Sequence, residues 1–284
     1  KSKIILISGP TASGKSKFAI QLAKKINGEV INADSMQIFK ELKILTARPQ
    51  QNDLKNIKHH LYGFKSVKDN YSTGNWLNDA KKKINNIKKK NKIPILVGGT
   101  GLYFKALIDG IVKIPDIPFT IRNRIRKKQS KIGQTKFYSA LIKLDPLCKK
   151  KINKNDAQRS IRAYEVKKFT NKSLLEWYSE TYSDFTQDSF IKLHIDYPRE
   201  KLIERITIRT NEMLRDGAIK EAKMFYKLRV KKDLSSNKVI GLSEIKEYLD
   251  KRIDLRELKE KISIKTRQYA KRQSTWARGQ MSDW

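Results

Sequence analysis

The sequence has 284 residues, of which 63 are Lys or Arg and 29 are Asp or Glu, giving a formal net charge of +34. This charge favours a polyanionic partner, with nucleic acid as the first candidate and an acidic membrane surface as a weaker one. No apolar stretch approaches the roughly 20 residues that span a bilayer, and no signal peptide is evident, so we expect a cytoplasmic protein without membrane contact.

The first predicted elements are a strand, a glycine-rich loop and a helix. A β-branched apolar run covers residues 3–7, and apolar residues recur at helical spacing over 17–26. Between them, residues 9–16 have the sequence Gly-Pro-Thr-Ala-Ser-Gly-Lys-Ser, the G-x-x-x-x-G-K-[ST] pattern of a phosphate-binding P-loop. Backbone N–H groups and the helix N-terminus attract phosphate there, Lys15 supplies a cation, and Ser16 can ligate Mg²⁺. The pattern predicts a polyphosphate site without specifying which polyphosphate binds.

A carboxylate follows the second predicted strand. Val30 and Ile31 form the strand signal, and Asp34 lies just past it. Because ligands bind at the carboxyl ends of strands in open α/β sheets, we expect Asp34 to face the P-loop crevice. It can serve there as a general base, as a Mg²⁺ ligand through water, or as the N-cap of a helix over 36–39. Arg48, further along, is a candidate anion contact.

Two more core strands are predicted, and each leads into a candidate site segment. Residues 93–97 are apolar and are followed by Gly-Gly-Thr-Gly, a cluster that lets the backbone approach a ligand and presents the Thr100 hydroxyl. Residues 190–196 alternate as a strand does, and the helix after them carries Arg205 and Arg209 on one face. That face either reaches the phosphate crevice or is solvated surface.

The stretch between these strands is helical in pattern and rich in positive charge. We therefore predict an α/β fold with a P-loop NTPase-like core, in which helices flank a parallel sheet, plus an all-helical insertion domain. The core is expected to cover 1–114 and 189–284, and the insertion 115–188. Basic residues at helical spacing over 155–165, and basic residues interleaved with aromatic ones over 264–278, suit RNA binding.

These patterns leave more than one class of function open. A P-loop kinase of a small molecule would share the loop, the Mg²⁺ and the sheet, but would need an adenine pocket and would not need the charge. A non-catalytic RNA-binding protein would not need Asp34 beside a P-loop. Base-composition bias in the gene would enrich lysine without depleting acids. Cys148, the one cysteine, excludes an internal disulfide and is more typical of a buried apolar residue than of a nucleophile.

Six motifs in one order resemble those of the bacterial tRNA dimethylallyltransferase (tRNA isopentenyltransferase) family. They span nearly the whole chain and lie at residues 9–16, 32–37, 46–49, 98–103, 156–165 and 271–276. The family resemblance implies transfer of a dimethylallyl group from dimethylallyl diphosphate to N6 of an adenine, with Mg²⁺ assisting and diphosphate leaving. The adenine is the one directly 3′ to the anticodon, at tRNA position 37, in tRNAs that read codons starting with U.

The resemblance also implies roles for individual residues. Asp34 would be the general base, Thr100 would meet the target base region or its phosphate, and Arg209 would neutralise diphosphate charge. Diphosphate binding falls to Gly9, Pro10, Thr11, Ala12, Ser13, Gly14, Lys15 and Ser16, and metal binding to Ser16. Contacts to the tRNA anticodon stem-loop fall to Asp34, Ser35, Met36, Gln37, Thr100, Arg122, Gln158, Arg159, Ser160, Ile161, Arg162, Lys238, Gly241, Lys271, Arg272, Gln273, Trp276 and Arg278.

Two departures from the family pattern bear on these expectations. The last loop has Gly241-Leu242 where the family often has Gly-Tyr, so we expect an aromatic contact to RNA to be missing there. The sequence stops soon after Trp276 without a zinc-finger extension, which favours the bacterial type. The family resemblance further suggests a monomer.

Overall fold

The computed structural model describes residues 3–49, 54 and 57–284. The chain divides into two compact units, one formed by Lys1–Ile108 with Phe185–Trp284 and the other by Asp109–Asp184. The first unit, here called the core unit, contains the sheet, and the second, the helical unit, contains helices but no strand among its residues. The fold is therefore an α/β core with a helical insertion, and its boundaries lie a few residues before those expected at 115 and 189.

Within the described residues the core unit has one five-stranded parallel sheet. The strands are β1 (Ile4–Ser8), β2 (Gly28–Asn32), β3 (His59–His60), β4 (Ile93–Gly98) and β5 (Phe190–His194), in the order β3-β2-β4-β1-β5. Every residue of β1 and β2 is buried, as expected of parallel strands covered on both faces. Ser8 pairs with Gly98 and Asn32 with Val97, so the carboxyl ends of β1, β2 and β4 lie side by side.

The strands are connected and covered by helices. In the described ranges these are α1 (Lys15–Lys25), α2 (Thr73–Lys88), α3 (Gly101–Asp109), α4 (Phe119–Leu144), α5 (Ala157–Thr170), α6 (Leu174–Tyr178), α7 (Arg199–Arg215), α8 (Ala218–Lys227), α9 (Leu242–Leu249) and α10 (Leu255–Gln280). None of these helices combines the length and apolar content needed to cross a bilayer. Helices α4, α5 and α6 belong to the helical unit.

A buried tryptophan fixes the chain where β2 ends. Trp76 of α2 is fully buried and stacks on Tyr103 of α3, with ring centroids 4.2 Å apart. Its indole Nε1–H donates to the backbone oxygen of Asn32 at 2.8 Å. The Asn32 side chain in turn donates to the backbone oxygens of Asp34 and Leu61. Because a buried tryptophan needs a partner for its N–H, these bonds hold the start of the Asp34 segment in place.

The helical unit has its own core and its own buried charge. Leu141 and Cys148 pack in an apolar cluster between the helices. Glu165 is also buried, with Oε1 3.5 Å from Arg126 Nε and Oε2 3.9 Å from Arg162 Nη1. Burial raises the pKa of Glu165, although these arginines act in the opposite direction. The basic residues of α4 and α5 thus include two that compensate an internal carboxylate.

Cys148 is a structural residue. Its thiol is fully buried and donates to Asp145 Oδ2 at 3.2 Å, and the Ser173 hydroxyl donates to the same oxygen at 2.7 Å. Burial, helped by the Asp145 carboxylate, raises the pKa of the Cys148 thiol to about 12. Because a thiol in this state carries no nucleophilic thiolate at neutral pH, the interpretation of Cys148 as a buried apolar residue is confirmed.

Gly98 is a position where the strand ends approach too closely for a side chain. A Cβ added there would lie 2.0 Å from the backbone oxygen of Ala33. We expect Gly98→Ala to lower the free energy of unfolding by about 2 kcal/mol or more, because backbone must move to relieve the overlap. Gly279→Ala, near the end of α10, is the matched control, since a Cβ there meets nothing within 4 Å. Alanine should change the free energy of unfolding there by less than about 1 kcal/mol. Thermal unfolding followed by circular dichroism measures both, and equal midpoints would contradict the packing argument.

Candidate active site at the strand ends

The P-loop connects the end of β1 to the start of α1. Gly14 is the N-cap residue of α1 and adopts a left-handed conformation with φ of 91°. Ser13 N–H donates to the backbone oxygen of Pro10 at 3.2 Å, which closes the turn. Lys15 and Ser16 then form the first turn of α1, where unpaired N–H groups and the helix dipole attract anions.

One hydroxyl in this loop is buried without a partner. Ser13 is 4% exposed, and its Oγ has no hydrogen-bond partner among the described residues. Buried polar atoms are normally paired, because an unpaired one loses its water without compensation. The P-loop therefore contains a hydroxyl whose donor is not used within the described part of the chain.

Lys15 lies in a crevice that contains charged side chains of both signs. Its ammonium donates to the backbone oxygen of Pro10 at 3.0 Å. Burial lowers the pKa of Lys15 to about 8, the carboxylate of Asp34 opposes this shift, and the guanidinium of Arg209 adds to it. The same crevice therefore holds one carboxylate and two basic side chains within electrostatic reach of one another.

Helix α7 brings two arginines to the P-loop. Arg209 Nη1 donates to Thr11 Oγ1 at 3.2 Å. The Arg205 guanidinium lies over the Tyr197 ring, 4.8 Å from its centroid, and its nitrogens are 3.3 and 3.4 Å from the point where a Cβ on Gly14 would stand. Burial, followed by the charge of Arg205, lowers the pKa of Arg209. Cations held this close repel each other, and a bound polyanion would relieve that repulsion.

Asp34 lies beyond β2 in a turn. Its N–H donates to Asn32 Oδ1 at 2.8 Å, and its Oδ1 accepts the Met36 N–H at 2.9 Å. Residues 35–38 form bends and turns, and Phe39 forms an isolated β-bridge with Lys65. The helix predicted over 36–39, with Asp34 as its possible N-cap, is therefore not formed. The carboxylate caps a local turn with one oxygen instead, an arrangement common for aspartate.

The Asp34 carboxylate interacts electrostatically with three tyrosines. The pKa of each lies above its ordinary value, because of burial first and the charge of Asp34 second; they are Tyr62, Tyr103 and Tyr269. All three are therefore neutral phenols at physiological pH. Asp34 itself is half-buried, within electrostatic reach of all three rings.

The glycine-rich loop after β4 is joined to the Asp34 segment. Thr100 N–H donates to the backbone oxygen of Ala33 at 3.2 Å, and Thr100 Oγ1 accepts the Ser35 N–H at 2.9 Å. The Thr100 hydroxyl also donates to Ser35 Oγ at 3.3 Å. Thr100 is thus hydrogen-bonded to the residues on both sides of Asp34, and its hydroxyl lies at the carboxyl ends of the same strands.

A cavity of about 310 Å³ lies between these loops and α10. Its walls come from the start of the P-loop, the glycine-rich loop, the end of β5 and one face of α10, and include Gly9, Thr100, His194, Tyr269, Gln273 and Trp276. The volume suits a small organic group next to the phosphate loop. Of the catalytic and diphosphate-binding residues predicted from sequence, Gly9 and Thr100 line this cavity. Arg209 is bonded to Thr11 of the P-loop, and Asp34 lies within electrostatic reach of Lys15.

The cavity and its surroundings include residues that the sequence-based site did not contain. Arg205 was placed on the same helix face as Arg209, but the family resemblance carried over Arg209 alone. Its four-residue spacing from Arg209 was the signal for it. Tyr269 lies in the basic and aromatic stretch 264–278 and His194 in the predicted strand 190–196, but neither was assigned to the site, because only the fold brings them to this cavity.

The remaining residues predicted to contact tRNA differ in exposure. In the core unit the exposed ones are Lys238, before α9, and Lys271, Arg272 and Arg278 on α10. In the helical unit Gln158 and Arg159 are exposed, whereas Arg122, Ile161 and Arg162 are half-buried. Ser160 is fully buried and Gly241 is buried, so their side chains offer nothing to a partner. Both positions can contact a partner only through neighbouring residues.

Two polar side chains of the 34–49 segment donate hydrogen bonds to backbone oxygens of the same segment. Gln37 Nε2 donates to the backbone oxygens of Thr46 and Ala47, each at 3.0 Å. Arg48 Nη1 donates to the backbone oxygen of Phe39 at 2.9 Å. The guanidinium of Arg48, which is a candidate anion contact, thus also ties together two parts of the loop.

Comparisons with known proteins give a consistent result. The family model described as IPP transferase matches residues 37–280. The tRNA dimethylallyltransferase of Pelagibacter ubique (strain HTCC1062) is 62% identical to this chain over 284 residues, which cover all of the chain and 91% of that protein. The tRNA dimethylallyltransferase of Rickettsia massiliae (strain Mtu5) is 42% identical, covering all of the chain and 78% of that protein.

Solved structures give the same similarity. A eukaryotic dimethylallyltransferase acting on tRNA superposes with a TM-score of 0.84 at 31% identity, over 98% of this chain and 70% of that one. The full-length tRNA isopentenylpyrophosphate transferase from Bacillus halodurans superposes with a TM-score of 0.68 at 33% identity, over 98% of this chain and 87% of that one.

Proposed function

The chain belongs to the IPP transferase family of tRNA dimethylallyltransferases, and we propose from this that its acceptor is N6 of the adenine at tRNA position 37, directly 3′ to the anticodon, in tRNAs reading codons that start with U. As a family member it is a tRNA-modifying prenyltransferase rather than a small-molecule kinase. The donor is dimethylallyl diphosphate. The observation that carries the proposal is the meeting of a cationic phosphate loop and a carboxylate, Asp34, in one crevice.

The reaction is a substitution at the C1 carbon of the dimethylallyl group. The adenine N6 forms a bond to C1, the C1–O bond breaks, and diphosphate leaves with the electron pair. N6 loses a proton, which the Asp34 carboxylate accepts. An exocyclic amine is a weak nucleophile, so both a placed base and a stabilised leaving group matter.

The P-loop residues Gly9–Ser16 would hold the diphosphate. Several observations support this role: the partnerless Ser13 hydroxyl, the helix N-terminus at Lys15, and the two arginines of α7 over the loop. Lys15, Arg205 and Arg209 would neutralise the charge that grows on the leaving group as the C1–O bond breaks. Arg205 joins this set on the strength of its position beside Gly14.

Mg²⁺ fits the same residues. It commonly takes one or two protein ligands and completes its shell with substrate phosphates and water. The Ser16 hydroxyl, in the first turn of α1 beside the P-loop, would be a protein ligand of this kind. A bound Mg²⁺ would supply further neutralisation of the diphosphate charge.

The acceptor side of the crevice would be formed by Asp34 and Thr100. Their loops are hydrogen-bonded to each other, so the base and the hydroxyl keep a fixed relation. An adenine inside a stacked loop cannot reach such a pocket, so the target nucleotide must be flipped out. The apolar walls contributed by Tyr269 and Trp276 suit both a flipped base and a prenyl group.

The positive charge would hold the anticodon stem-loop. The exposed basic residues of α10, with Lys238, and those of the helical unit support phosphate contacts. Residues proposed to contact tRNA include Ser35, Met36, Gln37, Arg122, Gln158, Arg159, Arg162, Lys238, Lys271, Arg272, Trp276 and Arg278. We propose that the protein acts as a monomer in the cytoplasm, where its tRNA substrate is found.

The lowered pKa of Lys15 predicts how donor binding depends on pH. In the free enzyme Lys15 is protonated below a pKa of about 8 and neutral above it. Bound diphosphate favours the charged form, so binding above pH 8 requires proton uptake. We expect the KM for dimethylallyl diphosphate to rise above pH 8, by at most about tenfold per pH unit. Steady-state kinetics from pH 7 to 9.5 measure this, and Lys15→Arg, which stays charged, should flatten the profile.

A transfer assay tests the function itself. Protein and Mg²⁺ are incubated with radiolabelled dimethylallyl diphosphate and an anticodon stem-loop with adenine directly 3′ to the anticodon, beside a reaction containing ATP alone. Label should enter the RNA and be lost when that adenine is replaced by guanine. Phosphate transfer from ATP to a small acceptor, without label in RNA, would contradict the proposal.

A further inference from the structure

Gln273 of α10 is hydrogen-bonded at both ends of its side-chain amide to the active-site loops. Its Oε1 accepts the backbone N–H of Thr11 in the P-loop at 2.8 Å. Its Nε2 donates to the backbone oxygen of Gly99 in the glycine-rich loop at 2.9 Å. One side chain thus bridges two loops that follow different strands, β1 and β4.

The glycine-rich loop is shaped to receive this helix. A Cβ on Gly99 would lie 2.0 Å from Gln273 Nε2, and a Cβ on Gly101 would lie 2.1 Å from the Trp276 ring. A larger residue at position 99 would displace the Gln273 amide, and one at position 101 would clash with the rigid Trp276 ring. The amide of Gln273 therefore sits in contact with backbone, where its two bonds are sheltered and directional.

The two bonds connect the donor half of the crevice to the acceptor half. On the donor side, Thr11 also accepts the guanidinium N–H of Arg209. On the acceptor side, Gly99 precedes Thr100, whose hydroxyl is bonded to Ser35 next to Asp34. Gln273 is consequently a link between the residues proposed to hold the leaving group and those proposed to accept the proton.

We propose that Gln273 is a positioning residue that sets the spacing between the P-loop and the glycine-rich loop, and so aligns the diphosphate with the acceptor base. This rests on the proposed function, because it takes a diphosphate as the ligand of the P-loop. The family resemblance assigns Gln273 to tRNA contact. A glutamine amide has two N–H donors and one acceptor oxygen. Here the oxygen and one donor bind backbone groups of the two loops, and the amide is also hydrogen-bonded to the Tyr269 side chain.

Gln273→Met tests the proposal, because methionine has nearly the same length and offers no amide. The matched control is Gln268→Met, an exposed glutamine on the same helix. Binding of inorganic diphosphate with Mg²⁺ is measured by calorimetry, and binding of the anticodon stem-loop by fluorescence anisotropy. We expect Gln273→Met to weaken diphosphate binding about tenfold, to leave stem-loop binding within twofold, and to lower kcat. Gln268→Met should change none of these.

Gly99→Ala provides a second variant with Gln273 intact. The added methyl group would displace the Gln273 amide, so the same loss of diphosphate affinity is expected. Wild-type diphosphate affinity in Gln273→Met, together with weakened stem-loop binding, would overturn the proposal in favour of a direct tRNA contact. Wild-type protein that binds diphosphate but transfers no label would contradict the proposed function alone, and the effect of Gln273→Met on diphosphate affinity would still decide this inference.

Discussion

Asp34→Asn should lower kcat by about 10²–10⁴-fold, the usual contribution of a placed general base, while binding of the anticodon stem-loop survives. The amide keeps an Oδ1 that can accept the Met36 N–H, so the turn after β2 should persist. What disappears is the ability to accept the N6 proton. The neighbouring tyrosines are neutral, because burial and Asp34 both raise their pKa, so none of them is ionised to take over that role.

Single-turnover transfer into a labelled stem-loop measures this effect without interference from product release. Asp233→Asn is a suitable control, because Asp233 is exposed and lies outside the crevice. A rate for Asp34→Asn within threefold of wild type would mean that Asp34 is not the base. Weakened stem-loop binding with an unchanged single-turnover rate would instead make Asp34 a tRNA contact only.

Arg209→Met should lower kcat by about 10²–10³-fold, in the range seen when one preorganised donor to a developing charge is removed. The guanidinium is half-buried against the P-loop and bonded to Thr11, so it is already oriented before substrate arrives. Arg209→Lys should recover only part of the rate, because an ammonium keeps the charge and loses the planar fork. Arg215→Met, at the exposed end of the same helix, is the matched control.

A double-mutant cycle extends this prediction. Arg205 lowers the pKa of Arg209, so the two charges already interact in the free protein. We expect the effects of Arg205→Met and Arg209→Met on kcat to be non-additive, because both should act on the same diphosphate. Strict additivity would indicate that Arg205 serves the stacking contact with Tyr197 and does not reach the leaving group.

Local patterns predicted much of this molecule. The P-loop is contiguous, and its loop and helix follow from eight residues and their flanks. The apolar run at 93–97 became β4, the run at 190–196 became β5, and four-residue spacing put Arg205 and Arg209 on one face of α7. Each of these features depends on residues only a few positions apart. Over such distances, side-chain periodicity and turn-forming residues determine the local structure.

Contacts between distant segments could not be obtained in this way. Nothing near Gln273 indicates that its amide meets Thr11 and Gly99, and the charge pattern of α10 suggests a solvated RNA-binding face. Likewise, nothing near Arg48 indicates that its guanidinium donates to the backbone oxygen of Phe39. The order of the strands decides these contacts, and that order depends on packing over the whole sheet.

The Thr11–Gln273 bond has a consequence for synthesis on the ribosome. The two partners are 262 residues apart in the chain, and ribosomes add roughly 5–20 residues per second. The P-loop therefore emerges on the order of tens of seconds before the helix that completes its surroundings. A nascent chain, or a product truncated before α10, would carry the whole phosphate-binding motif and still lack the wall that joins it to the acceptor side. We expect catalytic competence to arise only once α10 has been synthesised, because the link between the two loops is absent until then.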